Sequence, residues 1–256
     1  MSSTAISTPT PRMQTVDVPD LRAAPAPPLA GEPPVSQTDK PNVLFFFTDD
    51  QRFDTIRALT GGDVITPALD ALVQRGTAFT QAHIMGGTSP AVCMPSRAML
   101  MTGRTLFHLQ GAGQAIPSDH ALLGETLQRA GYETFGTGKW HNGAVAYARS
   151  FTSGARIFFG GMADHWNVPF CDFDPTGAYP QTPYCPAPGQ SNELRYRHGN
   201  HIHAGCHSTD LLADAAAEFL HTRDRDKPFF AYVSFLAPHD PRTMPRQYLE
   251  MYDPDT

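Results

Sequence analysis

The chain has 256 residues, long enough for one large or two small domains, and its 41% hydrophobic and 17% charged residues are the proportions of an ordinary globular protein. A formal net charge of −6 and a pI near 6.0 exclude the broad basic surface that nucleic-acid binding requires. No stretch approaches the roughly 20 apolar residues of a membrane-spanning helix.

Residues 1–39 hold eight prolines, no aromatic residue and no apolar period. Such a segment cannot bury enough surface to offset chain entropy, so it reads as a disordered leader to a domain over 40–256. It lacks the basic start and apolar core of a secretory signal, which favours the cytoplasm; a periplasmic or secreted destination stays open if the true start differs. Order is expected from Lys40-Pro41-Asn42 into Val43 to Phe47, a continuous apolar run that predicts a strand buried on both faces. Thr66-Pro67 opens a helix with Leu69, Leu72 and Val73 on one face, stopped at Gly76. Ala78 to His83 reads as a short strand. Leu122 to Ala130 is an amphipathic helix ended by Gly131, and Tyr132 to Thr137 a further strand. The stretch 141–206 is rich in Gly, Pro, His and aromatics and weakly periodic, which predicts long ordered loops with a small hairpin. Ser208-Thr209-Asp210 caps a helix to about His221, with Leu211, Leu212, Ala215 and Phe219 in a stripe, and Phe229 to Phe235 is the last strand. Strands alternating with helices predict an α/β fold: a mostly parallel sheet with helices on both faces.

Polar clusters follow three of these strands: Thr48-Asp49-Asp50, Gly138-Lys139-Trp140-His141 and Pro238-His239-Asp240-Pro241. Ligands of open α/β sheets bind beyond the carboxyl ends of the strands, so the three converge on one rim. Cys93 lies just before Pro95, which is placed to start a helix whose amides and dipole favour an anion. Asp49 and Asp50 offer hard oxygen donors suited to Ca²⁺ or Mg²⁺. His198, His201, His203 and His207 look like a metal tract but keep no zinc-ligand spacing, and are read as loop packing or pocket lining. Cys93, Cys171, Cys185 and Cys206 show no CxxC spacing and read as free thiols, though Cys171 and Cys185 could pair in an exported protein.

Residues 93–104, Cys-Met-Pro-Ser-Arg-Ala-Met-Leu-Met-Thr-Gly-Arg, resemble the Cys-x-Pro-Ser-Arg…Thr-Gly-Arg pattern of the type I sulfatases, whose fold is alkaline phosphatase-like. The resemblance implies that Cys93 is converted to formylglycine by a formylglycine-generating or sulfatase-maturing enzyme. It implies that Asp49, Asp50 and the residue-93 oxygen bind a divalent metal, Ca²⁺ or alternatively Mg²⁺. Lys139 would hold a sulfate oxygen, Arg97 orient the formylglycine, His141 assist collapse of the sulfated diol, and His239 protonate the leaving alcohol. The substrate would be a small-molecule or saccharide sulfate ester.

The family also carries a later Asp-Asn or Asp-His pair on the metal and a further lysine on the sulfate, and neither is found before Thr256. The expectation is an amino-terminal portion of a sulfatase, its fold incomplete at the carboxyl end and its metal shell open, inactive by itself. Two alternatives stand: a phosphonate monoester hydrolase or phosphodiesterase with the same motif, and a truncated remnant that keeps Cys93 as a thiol.

Overall fold

The computed structural model describes residues 40–86, 92–109, 113, 115–187, 189–253 and 255; the leader expected over 1–39 lies outside them. Four parallel strands form the main sheet, in the order β1 (Val43–Phe47), β6 (Phe229–Ser234), β2 (Glu133–Lys139), β3 (Ser153–Phe158). A separate antiparallel hairpin joins β4 (Gln181–Tyr184) to β5 (Arg195–His198).

Every residue of β6 is buried, because the strand lies between two neighbours and beneath helices on both faces. Successive side chains of a strand point to opposite faces. Phe229 and Ala231 therefore pack with Ala215 and Phe219 of α6 (Ser208–Thr222). Phe230 and Tyr232 face the other way, into the larger core built with α3 (Cys93–Thr102), α4 (Leu123–Arg129) and α5 (Ala144–Ser150). Trp140, Tyr147 and Phe151 fill that core with ring centroids 4.7–5.6 Å apart, and each such buried ring is worth about 1.5–3 kcal/mol of transfer free energy. The remaining helices, α1 (Arg57–Thr60), α2 (Pro67–Arg75) and α7 (Arg246–Leu249), are peripheral and bury no residue fully. No helix among the described residues is long and apolar enough to cross a membrane.

Four local expectations need correction. β1 is not buried on both faces. It is an edge strand among the described residues, and its burial alternates: Phe45 and Phe47 pack against Tyr232, while Leu44 and Phe46 are 41% and 53% exposed. Ala78–His83 forms no strand, since no neighbour pairs with it, and Phe79 stands 82% exposed. The stretch 141–206 contains the expected hairpin but also α5 and β3, whose small-residue sequences AVAYARS and SGARIF carry little apolar period. The N-cap of α6 is His207, whose Nδ1 accepts from the Thr209 amide at 3.3 Å; Ser208 is already the first helical residue.

Candidate functional site

Register places the chemistry. Phe47 pairs with Ser234, and Ser234 with Gly138, so β1, β6 and β2 end at one level. The ladder continues one step further, with the Asp49 amide donating to Ala237 O at 3.2 Å. Gly138 makes the close approach possible. Its φ is +84°, a Cβ there would lie 1.8 Å from Ser234 O, and the β2–β3 register shifts at Thr137/Gly138. Such a bulge re-aims the residue that follows, here Lys139. Trp140 turns away into the core, where its Nε1 donates to Gly143 O at 2.8 Å. His141 returns to the rim with φ +78°, and Asp50 has φ +59°. Left-handed backbone in non-glycine residues is costly and concentrates at functional sites.

Cys93 occupies the first position of α3. The Thr102-Gly103-Arg104 element stops that helix: Gly103 is left-handed and donates to Met99 O, and the Thr102 hydroxyl donates to Ala98 O. Asn142 ties the start of α3 to the end of β2, its Nδ2 donating to Met94 O at 3.0 Å and Gly113 O at 2.6 Å.

Beneath Cys93 lies a buried ionic cluster. Asp49 forms a direct ion pair with Lys139, and Arg97 Nη2 lies 3.3 Å from the same carboxylate oxygen. Arg97 Nη1 is spent on Lys139 O at 2.7 Å, Tyr232 OH at 3.0 Å and Ser234 Oγ at 2.6 Å, and its guanidinium sits over the Phe47 ring. All three charges are buried. Burying charge is costly unless it is paired, and two cations against one carboxylate leave one positive charge uncompensated.

Cys93 Sγ lies 3.4 Å from His141 Nδ1. Burial, followed by the charges of Lys139 and Arg97, lowers the His141 pKa to about 4 and keeps the ring neutral near pH 7. His239 donates from Nδ1 to Asp240 O at 2.8 Å, so its Nε2 is the nitrogen that faces outward, 3.5 Å from Asp50 Oδ2. Asp49, Asp50, Cys93 and Arg97 line one cavity of about 360 Å³, together with Ser96 and Gln51. All seven predicted site residues are therefore linked: four line the cavity, Lys139 joins through Asp49, His141 through Cys93 and His239 through Asp50.

Asp49 and Asp50 supply hard oxygen donors on the cavity wall, but Asp49 Oδ2 is paired with Lys139 and Arg97, and with Cys93 the two do not make a group arranged to hold a metal. Among the described residues no group of three or more His, Cys, Asp or Glu is arranged to hold a metal, which includes His198, His201, His203 and His207. His201 instead faces Asp172 at 3.2 Å and His203 ring-to-ring at 5.0 Å, while His198 lies against Phe159. All four cysteines are free, Cys171 and Cys185 included. Sequence reasoning missed Tyr232, Ser234 and Asn142. They look like ordinary strand and loop residues, and only the spatial neighbourhood of Arg97 and α3 gives them a task.

The sheet is parallel α/β, and at its strand ends a cavity bearing Asp49, Asp50 and Arg97 lies over the first turn of α3. The sulfatase family model matches residues 41–256, and the chain belongs to that family. It is similar to arylsulfatase J of Mus musculus, 29% identical over 84% of this chain and 35% of that protein. It is also similar to the arylsulfatase of Klebsiella aerogenes, 27% identical over 88% of this chain and 48% of the relative. Among solved structures, that of BT4656 in complex with its substrate D-glucosamine-2-N,6-O-disulfate superposes with a TM-score of 0.57 at 26% identity, over 78% of this chain and 35% of that one. The fold is the alkaline phosphatase-like one of these sulfatases, and the chain spans about a third to a half of the length of the relatives described.

Proposed function

We propose that the chain carries the nucleophile and sulfate-binding half of a sulfuric ester hydrolase that acts through a formylglycine derived from Cys93. The observation that supports this most is the buried Asp49–Lys139–Arg97 cluster directly below Cys93. Formylglycine, supplied by a maturing enzyme, would provide a hydrated aldehyde in which one hydroxyl attacks sulfur and the other drives release of sulfate. The neutral imidazole of His141 accepts a proton at the nitrogen now facing Cys93 Sγ. Arg97, which lines the cavity, would orient the residue-93 diol, and Lys139, buried against Asp49 outside the cavity lining, would hold a sulfate oxygen only by turning from that carboxylate. With its Nδ1 proton committed to Asp240 O, His239 would donate to the leaving alcohol from Nε2 as the imidazolium, the form in which both ring nitrogens carry hydrogen, and leave the step as the neutral Nδ1–H ring. Asp49, Asp50 and the residue-93 oxygen would hold the metal, preferably Ca²⁺, which would polarise the sulfate when bound.

The substrate class follows from the relatives: a sulfated saccharide or aryl sulfate. A phosphonate monoester hydrolase of Agrobacterium radiobacter shares the fold, with a TM-score of 0.55 at 24% identity. A phosphonate monoester and a sulfate monoester each carry one negative charge, so charge does not separate them, and the preference for sulfate rests on the family match and the sulfatase relatives. The test is turnover of an aryl sulfate against an aryl phosphonate by the protein containing residues 41–256, matured and supplied with Ca²⁺. Preference for the phosphonate would reverse the assignment. Without further oxygen donors, two carboxylates and residue 93 fall short of the 6–8 oxygens Ca²⁺ takes. Residues 1–256 alone are therefore expected to bind the ion weakly and turn over negligibly.

A further inference from the structure

We propose that Asp164, His165 and Trp166 form a clamp that fixes the turn bearing His239, with His165 as the positioning residue for that histidine. The inference begins with a buried polar residue that the site does not use. His165 is 3% exposed, and both ring nitrogens are engaged: Nε2 lies 3.0 Å from His239 O and Nδ1 2.9 Å from Ser208 Oγ.

These partners settle the proton. A carbonyl oxygen only accepts, so Nε2 carries the hydrogen and donates to His239 O. In the neutral ring Nδ1 then accepts from the Ser208 hydroxyl. That hydroxyl belongs to the first helical residue of α6, which follows the His207 cap. The Ser208 amide also donates to His165 O at 2.8 Å, so the two residues are bound twice. His165 thus anchors its carbonyl partner to the amino end of a 15-residue helix packed on the sheet.

The flanking residues act on the same turn. Trp166 Nε1 donates to Thr243 O at 3.1 Å, and the Thr243 hydroxyl donates to Asp164 Oδ1 at 3.5 Å. Three consecutive residues therefore grip the turn at His239 and again four residues later. Packing does not replace this grip. A cavity of about 150 Å³ is lined by His165, His207, His239, Thr243 and Met244, so the turn has room to shift if the bonds are lost.

The consequence for His239 is geometric. Its ring is fixed to its own chain by Nδ1 donating to Asp240 O. Where the backbone sits therefore decides where Nε2 points, and His165 holds that backbone together with the Asp49 amide on Ala237 O and the turn's own His239 to Leu236 bond. Assigning proton donation to His239 Nε2 rests on the sulfatase reading; the clamp does not.

Histidine ¹⁵N NMR and amide hydrogen exchange on this chain test the clamp without any turnover. His165 is expected as the neutral Nε2–H tautomer. His165→Phe keeps the ring volume and the stacking on His207 (5.2 Å, 10° between planes) but removes both nitrogens. It should speed exchange of the His239 amide, which donates to Leu236 O, roughly tenfold, the scale of one net hydrogen bond. Amides of Phe229–Ser234 should stay unchanged. His165→Gln, whose amide can reach the same carbonyl, should restore the wild-type rate. A hydrogen on Nδ1 with Nε2 bare, unaltered His239 exchange in His165→Phe, an equal rise throughout β6, or a Gln variant no better than Phe would each overturn the clamp. Because aryl sulfate hydrolysis plays no part in these readouts, failure of the sulfatase reading and failure of the clamp are separable.

Discussion

Two regions are rich in the side chains that bind metals and move protons, and they behave oppositely. Around the strand ends, Asp49, Cys93, Lys139, His141 and His239 come from segments spread over 190 residues and meet in one linked set. Along residues 198–207, four histidines lie close in sequence but disperse, His198 to Phe159, His201 with its ring neighbour His203 to Asp172, and His207 to the cap of α6. Density in sequence is not density in space. Parallel pairing aligns distant strand ends at one level, whereas a loop disperses its neighbours unless a ligand or a core gathers them.

The strongest way to break this contrast is at Cys93. In the matured, active protein, Cys93→Ala should reduce aryl sulfate turnover by a factor on the order of 10³–10⁶, the range seen when a nucleophile is removed. Cys93→Ser should do nearly as badly in multiple turnover, because its single hydroxyl can be sulfated but offers no second oxygen to drive release. Near-normal steady-state rates for the serine variant would remove the proposed chemistry.

A smaller effect is expected from the cluster beneath. Asp49→Asn leaves Lys139 and Arg97 buried with no carboxylate, and stripping one partner from a buried pair costs about 3–5 kcal/mol. Chemical denaturation of residues 1–256 reads this directly, and a loss under ~1 kcal/mol would mean that the cluster is solvated rather than buried. Gly138→Ala is next. The left-handed backbone alone costs about 1–2 kcal/mol, and the Cβ must also push Ser234 O away, so a loss of roughly 2–4 kcal/mol is expected in the same assay. The histidine tract should respond least. His203 is exposed, and His203→Ala should change stability by no more than about 0.5 kcal/mol. Stoichiometric Zn²⁺ binding lost on that substitution would show that the tract is a metal site after all.

Much of the fold was legible because its central elements obey simple patterns. The run Phe229–Ser234 and the stripe of α6 read correctly from apolar spacing, and the cysteine dodecapeptide carried the family. What could not be read depended on partners. Whether Leu44 and Phe46 are covered is a property of neighbours, not of the strand. Phe79 sits in a run that looks like a strand but has nothing to pair with. The order β1-β6-β2-β3 puts the last strand beside the first, which no local period encodes. At the site, residue types pointed to the seven members, but not to the left-handed backbone of Asp50 and His141 or to the support of Arg97 by Tyr232 and Ser234. Those features lie where the ends of β1, β6 and β2 meet in space.

The central claim is that the cysteine at the head of α3 is the precursor of the nucleophile rather than a packed thiol. Coexpression with a formylglycine-generating enzyme, followed by mass spectrometry of the tryptic peptide 76–97, tests it most directly. The account predicts a peptide lightened by exchange of the Cys93 CH₂SH for CHO and reactive toward a hydrazide. A peptide that remains entirely thiol, and alkylates as such under conditions that convert a known sulfatase, would contradict it.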